Sequence, residues 1–319
     1  MVVSLQHQDD PGIGAMQLLE TIVAKMGLNR NVSINQYGEI KTKIEKFPLY
    51  RIETIDLQEL ESPVMVTLTG FHGDEIAGPL TVMKYIDYMF NLAEANGISL
   101  VCYPLVNPSG FNLRTRYNHL KQVSNNDFLR YKLHDGQWVD DMGASMDFKE
   151  WVWSDDYGVI VPETKKLPIE TIALIKDLKK LPYARIKAVL DIHQDLFFES
   201  YKGQFSYSYC LGEIDLLREI AKKTKHFVPL LKNTPIEEGF GISTTEVGVN
   251  ISQHVTEVSP KTDDYGVVIR YDGSCTDAFH RLGVPYNVAL ETTAAVPLER
   301  CDELHLFWIR ELVNLITRK

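Results

Sequence analysis

Cysteine is scarce in this chain. Four occur in 319 residues (Cys102, Cys210, Cys275 and Cys301), far apart and with no Cys-x-x-Cys pair. That spacing argues against a thiolate metal cluster and against a disulfide framework, and leaves reduced, mostly buried thiols as the expectation. No apolar stretch approaches the roughly 18–20 residues needed to cross a bilayer. Basic residues are not in excess: 33 Lys and Arg stand against 43 Asp and Glu, a formal net charge of −10. A general binder of nucleic acid or of anionic membranes would present a basic face, so neither partner is expected. The N-terminus, Met1-Val2-Val3-Ser4-Leu5, has no basic segment followed by an apolar core, and a cytoplasmic location is the expectation. A secreted chain trimmed of its leader would look the same. Internal repeats and low-complexity segments are absent. So is a Gly-x-Ser-x-Gly elbow, which disfavours a serine nucleophile.

What is present is an ordinary globular composition, 45% hydrophobic and 24% charged, enough for a large core. Apolar spacing predicts a helix over 12–28, a loop through Asn29-Arg30-Asn31 and Gln36-Tyr37-Gly38, and a strand over 47–53. A continuous apolar run at 63–70 reads as a strand covered on both faces. A helix over 76–94 and a strand over 100–106 follow, the latter ending in the turn signal Asn107-Pro108-Ser109-Gly110-Phe111. Periodicity then fails from 112 to about 165, where aspartates mix with Phe128, Tyr131, Trp138, Trp151 and Trp153. The aromatic content argues for an ordered loop excursion over one face. Beyond it come a helix opened by Leu167-Pro168-Ile169-Glu170, a buried strand over 186–192, a helix over 211–225, a Gly/Thr-rich loop over 233–250, a strand over 284–290 and a helix over 300–316. The alternation predicts one α/β domain spanning 1–319: a three-layer sandwich with a mixed, mainly parallel sheet and helices on both faces, preceded over 1–60 by an N-terminal helix and strand.

Four predicted strands end in polar side chains: His72 with Glu75, Asn107, His193 and Glu291. In open α/β sheets, sites form beyond the carboxyl ends of the strands, where strand order switches. If these strands are neighbours, the four clusters meet in one crevice. Two imidazoles and one carboxylate suit a catalytic zinc ion, because they leave a fourth position for water. His72, Glu75 and His193 are the candidate ligands of one zinc ion per chain. Glu291 is placed to activate the water as general base. Asp191, two residues before His193 on the same strand, is placed to orient that imidazole.

Together, Gly70-Phe71-His72-Gly73-Asp74-Glu75, Asn107-Pro108-Ser109-Gly110-Phe111, Leu190-Asp191-Ile192-His193 and Leu290-Glu291 resemble the zinc carboxypeptidase superfamily, which includes the aspartoacylase/succinylglutamate desuccinylase branch. The resemblance runs from about residue 60 to 300. It implies a zinc-dependent metallopeptidase or amide hydrolase, with His72, Glu75 and His193 on zinc and Glu291 as base and proton shuttle. Arg116, in Asn-Leu-Arg-Thr-Arg-Tyr, resembles the arginine that polarises the scissile carbonyl in the deacylase branch; Arg114 competes for that role.

The chain also departs from the superfamily pattern. The Asp-x-Asn-Arg motif that binds a terminal carboxylate has its counterpart in Val123-Ser124-Asn125-Asn126-Asp127-Phe128, which keeps asparagine but lacks the arginine. Asn125, Asn126 and Arg114 are therefore candidate substrate contacts, with Arg130 or Arg270 as substitutes for the missing arginine. Tyr271, near Gly273-Ser274, is a candidate substrate tyrosine. Expected substrates are a small peptide or, as the alternative, an N-acyl amino acid. A catalytically silent binding module is a third reading, and the oligomeric state is open.

Overall fold

The structure, a computed structural model, describes residues 9–125, 127–156, 167–195, 203–236 and 260–318. The chain opens with helix α1 (Ala15–Met26) and a hairpin of β1 (Val32–Lys41) and β2 (Lys46–Thr54). The expected loop at Gln36-Tyr37-Gly38 is instead part of β1. A bulge between Gln36 and Gly38 leaves Tyr37 as the extra residue, while Gly38 keeps its place in the ladder opposite Leu49. There a Cβ on Gly38 would come within 3.1 Å of Leu49 and 3.3 Å of Ala173, so close packing rather than turning explains its presence.

The central unit is β3 (Val64–Thr69), α2 (Ala77–Ala95) and β4 (Ser99–Tyr103). Helix α3 (Pro108–Leu113) follows, with Asn107 as its N-cap. Strands β5 (Leu129–Lys132), β6 (Trp138–Val139) and β7 (Glu150–Trp153) form a small antiparallel sheet in the order β6-β5-β7. The segment read as an irregular excursion thus holds a sheet of its own, with strands too short to show periodicity. Phe128 and Tyr131 dock it by joining the core beneath. Then come α4 (Ile169–Leu178), β8 (Ile186–Asp195), β9 (Ser206–Gly212), α5 (Ile214–Thr224), β10 (Val267–Val268), α6 (Cys275–Arg281), β11 (Tyr286–Thr293) and α7 (Leu298–Thr317). Sequence periodicity misses β9, whose buried Ser206 and Ser208 hide its apolar pattern, and α6, which is only two turns long. Most of the expected 233–250 loop lies outside the described residues.

The main sheet has the order β1-β2-β4-β3-β8-β11-β9-β10. Its centre, β4-β3-β8-β11, is parallel. Antiparallel pairings join β1 to β2, β2 to β4 and β9 to β11. Alternation along the central strands divides two cores. Met65, Leu100, Leu190, Val288 and Leu290 face α1, α2, α5 and α7, whereas Val64, Val66, Leu68, Val101 and Val189 face α4 and α6. This is the expected α/β sandwich with helices on both faces. The chain leaves β3 for β4 on one side and later returns to β3's other side as β8. That places the switch in strand order between β3 and β8, and sites in open α/β sheets form beyond the carboxyl ends of strands at such a switch.

Candidate metal centre

The turn after β3 is set by backbone contacts. Gly70 has φ of 70°, a conformation that glycine adopts without steric cost. The amides of Val106 and Asn107 donate to the carbonyls of Thr69 and Gly70, so the loops after β3 and β4 run side by side. Gly73 then lies directly on the backbone of α3: a Cβ there would sit 1.9 Å from the Gly110 carbonyl carbon. Asn107 braces the same junction, accepting from Gly110 N at 2.8 Å and donating from Nδ2 to the Phe71 carbonyl at 3.2 Å. It supports the turn rather than joining the ligand group.

On this turn His72 and Glu75 face each other, with Nδ1 2.6 Å from Glu75 Oε1. His193, at the end of β8, brings its own Nδ1 within 2.8 Å of the other oxygen, Oε2. The backbone amide of Gln194 also donates to Oε2 at 3.2 Å. One ligand atom from each of His72, Glu75 and His193 lies within 4.8 Å of the others, and all three residues are buried. Asp191 Oδ2 is 3.0 Å from His193 Nε2, close enough to pair but poorly directed, since Nε2 has no aligned hydrogen-bond acceptor. Phe71 stacks on the His193 ring at 5.9 Å and limits its rotation.

The electrostatics are unequal. Burial, together with the Arg116 charge, pushes His72 down to about 4 despite Glu75 beside it. Burial also disfavours a charged His193, but Asp191 and Glu75 outweigh it and hold that imidazole well above its usual range. Burial would raise Glu75 as well, yet the two histidines keep its carboxyl well below the ordinary range. A buried carboxylate gripped by two imidazoles through Nδ1, with a net demand for positive charge, suits a divalent cation.

Arg116 completes the cluster. Its Nη1 lies 3.1 Å from His72 Nδ1 and donates to Glu75 Oε1 at 3.2 Å. Glu291 pairs residue for residue with His193 across β11 and β8. Its Oε2 is buried with no hydrogen-bond partner. Burial holds its carboxyl well above the usual range; Glu75 and Asp195 add to this, and His193 and Arg116 oppose it. The sequence-derived ligands, Arg116 and Glu291 are therefore brought together.

Other candidates lie elsewhere. Arg114 adopts φ of 51° at the end of α3 and turns to Asp10, with Nε 2.7 Å from Oδ2 and Nη2 3.0 Å from Oδ1. The left-handed turn sends it away from Arg116, so it does not join the cluster. Asn125 is half-buried with its Oδ1 unpartnered, and Asn126 lies outside the described residues. Tyr271 pairs its backbone with Gly143 and stacks its ring on His280 at 5.8 Å. Among the described residues no contact links it to the His72–Glu75–His193 group. Arg130 pairs with Asp127 at 2.7 Å, and Arg270 pairs with Asp141. Sequence reasoning missed Gln194, although it directly follows His193, and Tyr207, which opposes Glu291 on β9 and donates to Asp195 at 2.6 Å. A tyrosine on an unrecognised strand carries no local signal.

No protein-family model matches the chain, and no curated protein matches its sequence. Solved structures do. A candidate metallopeptidase of Shewanella amazonensis matches with TM-score 0.62 at 18% identity, covering 95% of this chain and 92% of its own. A metallo-carboxypeptidase of Burkholderia cenocepacia matches with TM-score 0.55 at 11% identity, over 95% of this chain and 68% of its own. Bovine thrombin-activatable fibrinolysis inhibitor, solved with a tick carboxypeptidase inhibitor, matches with TM-score 0.52 at 15% identity, over 95% and 97%. The chain has the fold of the zinc carboxypeptidase-like metallopeptidases. Its candidate metal group stands at the carboxyl ends of the central strands of that fold.

Proposed function

We propose that the chain is a zinc-dependent hydrolase of an amide or peptide bond, acting as a carboxypeptidase-like metallopeptidase. The observation that carries this reading is the convergence of His72, Glu75 and His193 with Arg116 and Glu291 beside them. His72 and His193 would bind zinc through Nδ1 and Glu75 through its carboxylate. A bound zinc ion supplies Lewis-acid polarisation of the carbonyl and lowers the pKa of water to roughly 7. Glu291 takes the proton from the attacking water and returns it to the leaving amine, a task suited to a carboxyl whose affinity for protons is raised. Arg116 donates to the oxygen on which negative charge develops; its charge cannot be lost, and its guanidinium is already held in place.

A second reading, an N-acyl amino acid deacylase, draws support from the counterions of Arg130 and Arg270. Each already meets an aspartate, which weakens both as receptors for a free C-terminal carboxylate. The zinc-loaded protein should be offered short peptides with free C-termini, the same peptides amidated, and N-acyl amino acids. Cleavage of the free-carboxylate peptides supports the peptidase. Cleavage of N-acyl amino acids alone moves the assignment to the deacylase. No turnover in any arm contradicts both and favours a silent binding module. The cytoplasmic location and the absence of nucleic-acid and membrane partners belong to the same proposal.

A further inference from the structure

Glu170 is an acid in the first turn of α4, a position where a solvated carboxylate would favour the helix dipole. Here it has no exposed surface at all. Burying a carboxyl is costly unless it is well paired. Glu170 Oε2 accepts from Asn118 Nδ2 at 2.9 Å and the Ser109 hydroxyl lies beside the same carboxyl, while its other oxygen, Oε1, has no aligned hydrogen-bond partner. Asn118 is the hub of the loop that carries Arg116. Its Oδ1 accepts from the amides of Leu120 and Gln122, both at 2.9 Å. The next residue of α4, Thr171, donates from Oγ1 to the Ser124 carbonyl at 2.8 Å. Ser124 Oγ in turn reaches the carbonyl of Phe71, the neighbour of His72, at 3.4 Å. A helix remote in sequence from the ligand turns therefore grips the loop between Arg116 and Asn125 at two points.

We propose that Glu170 is a positioning residue: through Asn118 it holds the 116–124 loop so that the Arg116 guanidinium is presented to Glu75 and to the reacting carbonyl. The proposal rests on the role given above to Arg116. Displacement of a positioned group by about 1 Å can cost on the order of a hundredfold in rate. In zinc-loaded protein, Glu170→Ala should lower kcat by about ten- to a hundredfold with little change in KM and with full zinc content. Glu170→Gln, whose amide oxygen can still accept from Asn118, should restore most of it. Asn118→Ala cuts the same tie from the other side and should reproduce the loss, which covers the case in which Glu170→Ala does not fold. Because the effect passes through Arg116, adding Glu170→Ala to Arg116→Ala should cost nothing more.

Labelling by phenylglyoxal, read by mass spectrometry at Arg116, gives a readout independent of turnover. Arg116 is only 7% exposed in the folded chain and should label slowly in the parent and in Glu170→Gln, and faster in Glu170→Ala and Asn118→Ala. Equal labelling in all four proteins overturns the proposal, as does an undiminished effect of Glu170→Ala on the Arg116→Ala background. If the parent protein hydrolyses no amide, the proposed function fails, and the labelling result still decides the role of Glu170.

Discussion

Glu291 and His193 face each other across neighbouring parallel strands. Val288 and Leu290 point into the core under α2 and α7, so Glu291 points to the opposite face, as His193 does two places beyond Asp191. Two strands that hold register along their whole pairing thus set the spacing between a proposed base and a proposed ligand. Rigid strands place such groups more accurately than loops do.

Glu291→Gln preserves volume and the sheet but removes the proton acceptor. Zinc content should stay at the parent level while turnover falls by about 10²–10⁴-fold. Metal analysis and initial rates on the same preparation check this. Parent-level hydrolysis by the zinc-loaded variant would remove Glu291 from the mechanism.

Asp191 is buried against the outer nitrogen of His193. Asp191→Asn keeps the shape and loses the charge that favours a basic, correctly turned imidazole. Zinc affinity should fall by roughly 10–100-fold, measured by competition with a chelator. An unchanged affinity would make Asp191 a core residue with no part in metal binding.

Gly73 tests the wiring of the turn. A methyl group there would overlap the backbone of Gly110, which cannot swing aside as a side chain can. Gly73→Ala should destabilise the fold by roughly 1–3 kcal/mol or more and weaken zinc binding by displacing His72. Urea unfolding and zinc titration read the two effects. Parent-like values in both would mean that the two loops are not in contact.

Away from the site, His305 on α7 is fully buried, and burial pushes its imidazole down to about 3. Its Nδ1 meets Thr81 Oγ1 of α2 at 2.8 Å. The unfolded chain takes up this proton near pH 6.5 and the folded chain only near pH 3. The contribution to stability is therefore complete above pH 6.5 and is lost progressively as pH falls through that window. At pH 4.5 the loss should approach about 2–3 kcal/mol. Urea unfolding at pH 7 and 4.5 measures it, and the His305→Gln variant should show a flatter pH dependence. Identical slopes in the two proteins would exclude His305 as the source.

The parts of this structure legible in the sequence are those in which one strand delivers one chemical group. The apolar runs before His72, His193 and Glu291 announce covered strands, and a polar group delivered directly after each of three such strands points to a shared site more than any one of them does alone. Periodicity did not reveal arrangements built across the chain. In the sequence the Arg-Tyr pair favours Arg116 and leaves Arg114 as its competitor. In the structure the left-handed turn at Arg114 and its pairing with Asp10 separate the two. Tyr271 is a candidate in the sequence only for its nearness to Gly273-Ser274, and in the structure its neighbours include His280 and Gly143. Glu170 looked like a helix-start acid, and its burial under the Arg116 loop is a tertiary fact.

The most direct test of the account is a metal titration of the whole protein. Chelation should abolish amide hydrolysis, and one equivalent of zinc per chain should restore it, with His193→Ala failing to recover at the same zinc concentration. Hydrolysis at the parent rate by protein shown to be metal-free, or full zinc binding and turnover by His193→Ala, would contradict the assignment of His72, Glu75 and His193 as the centre of this molecule.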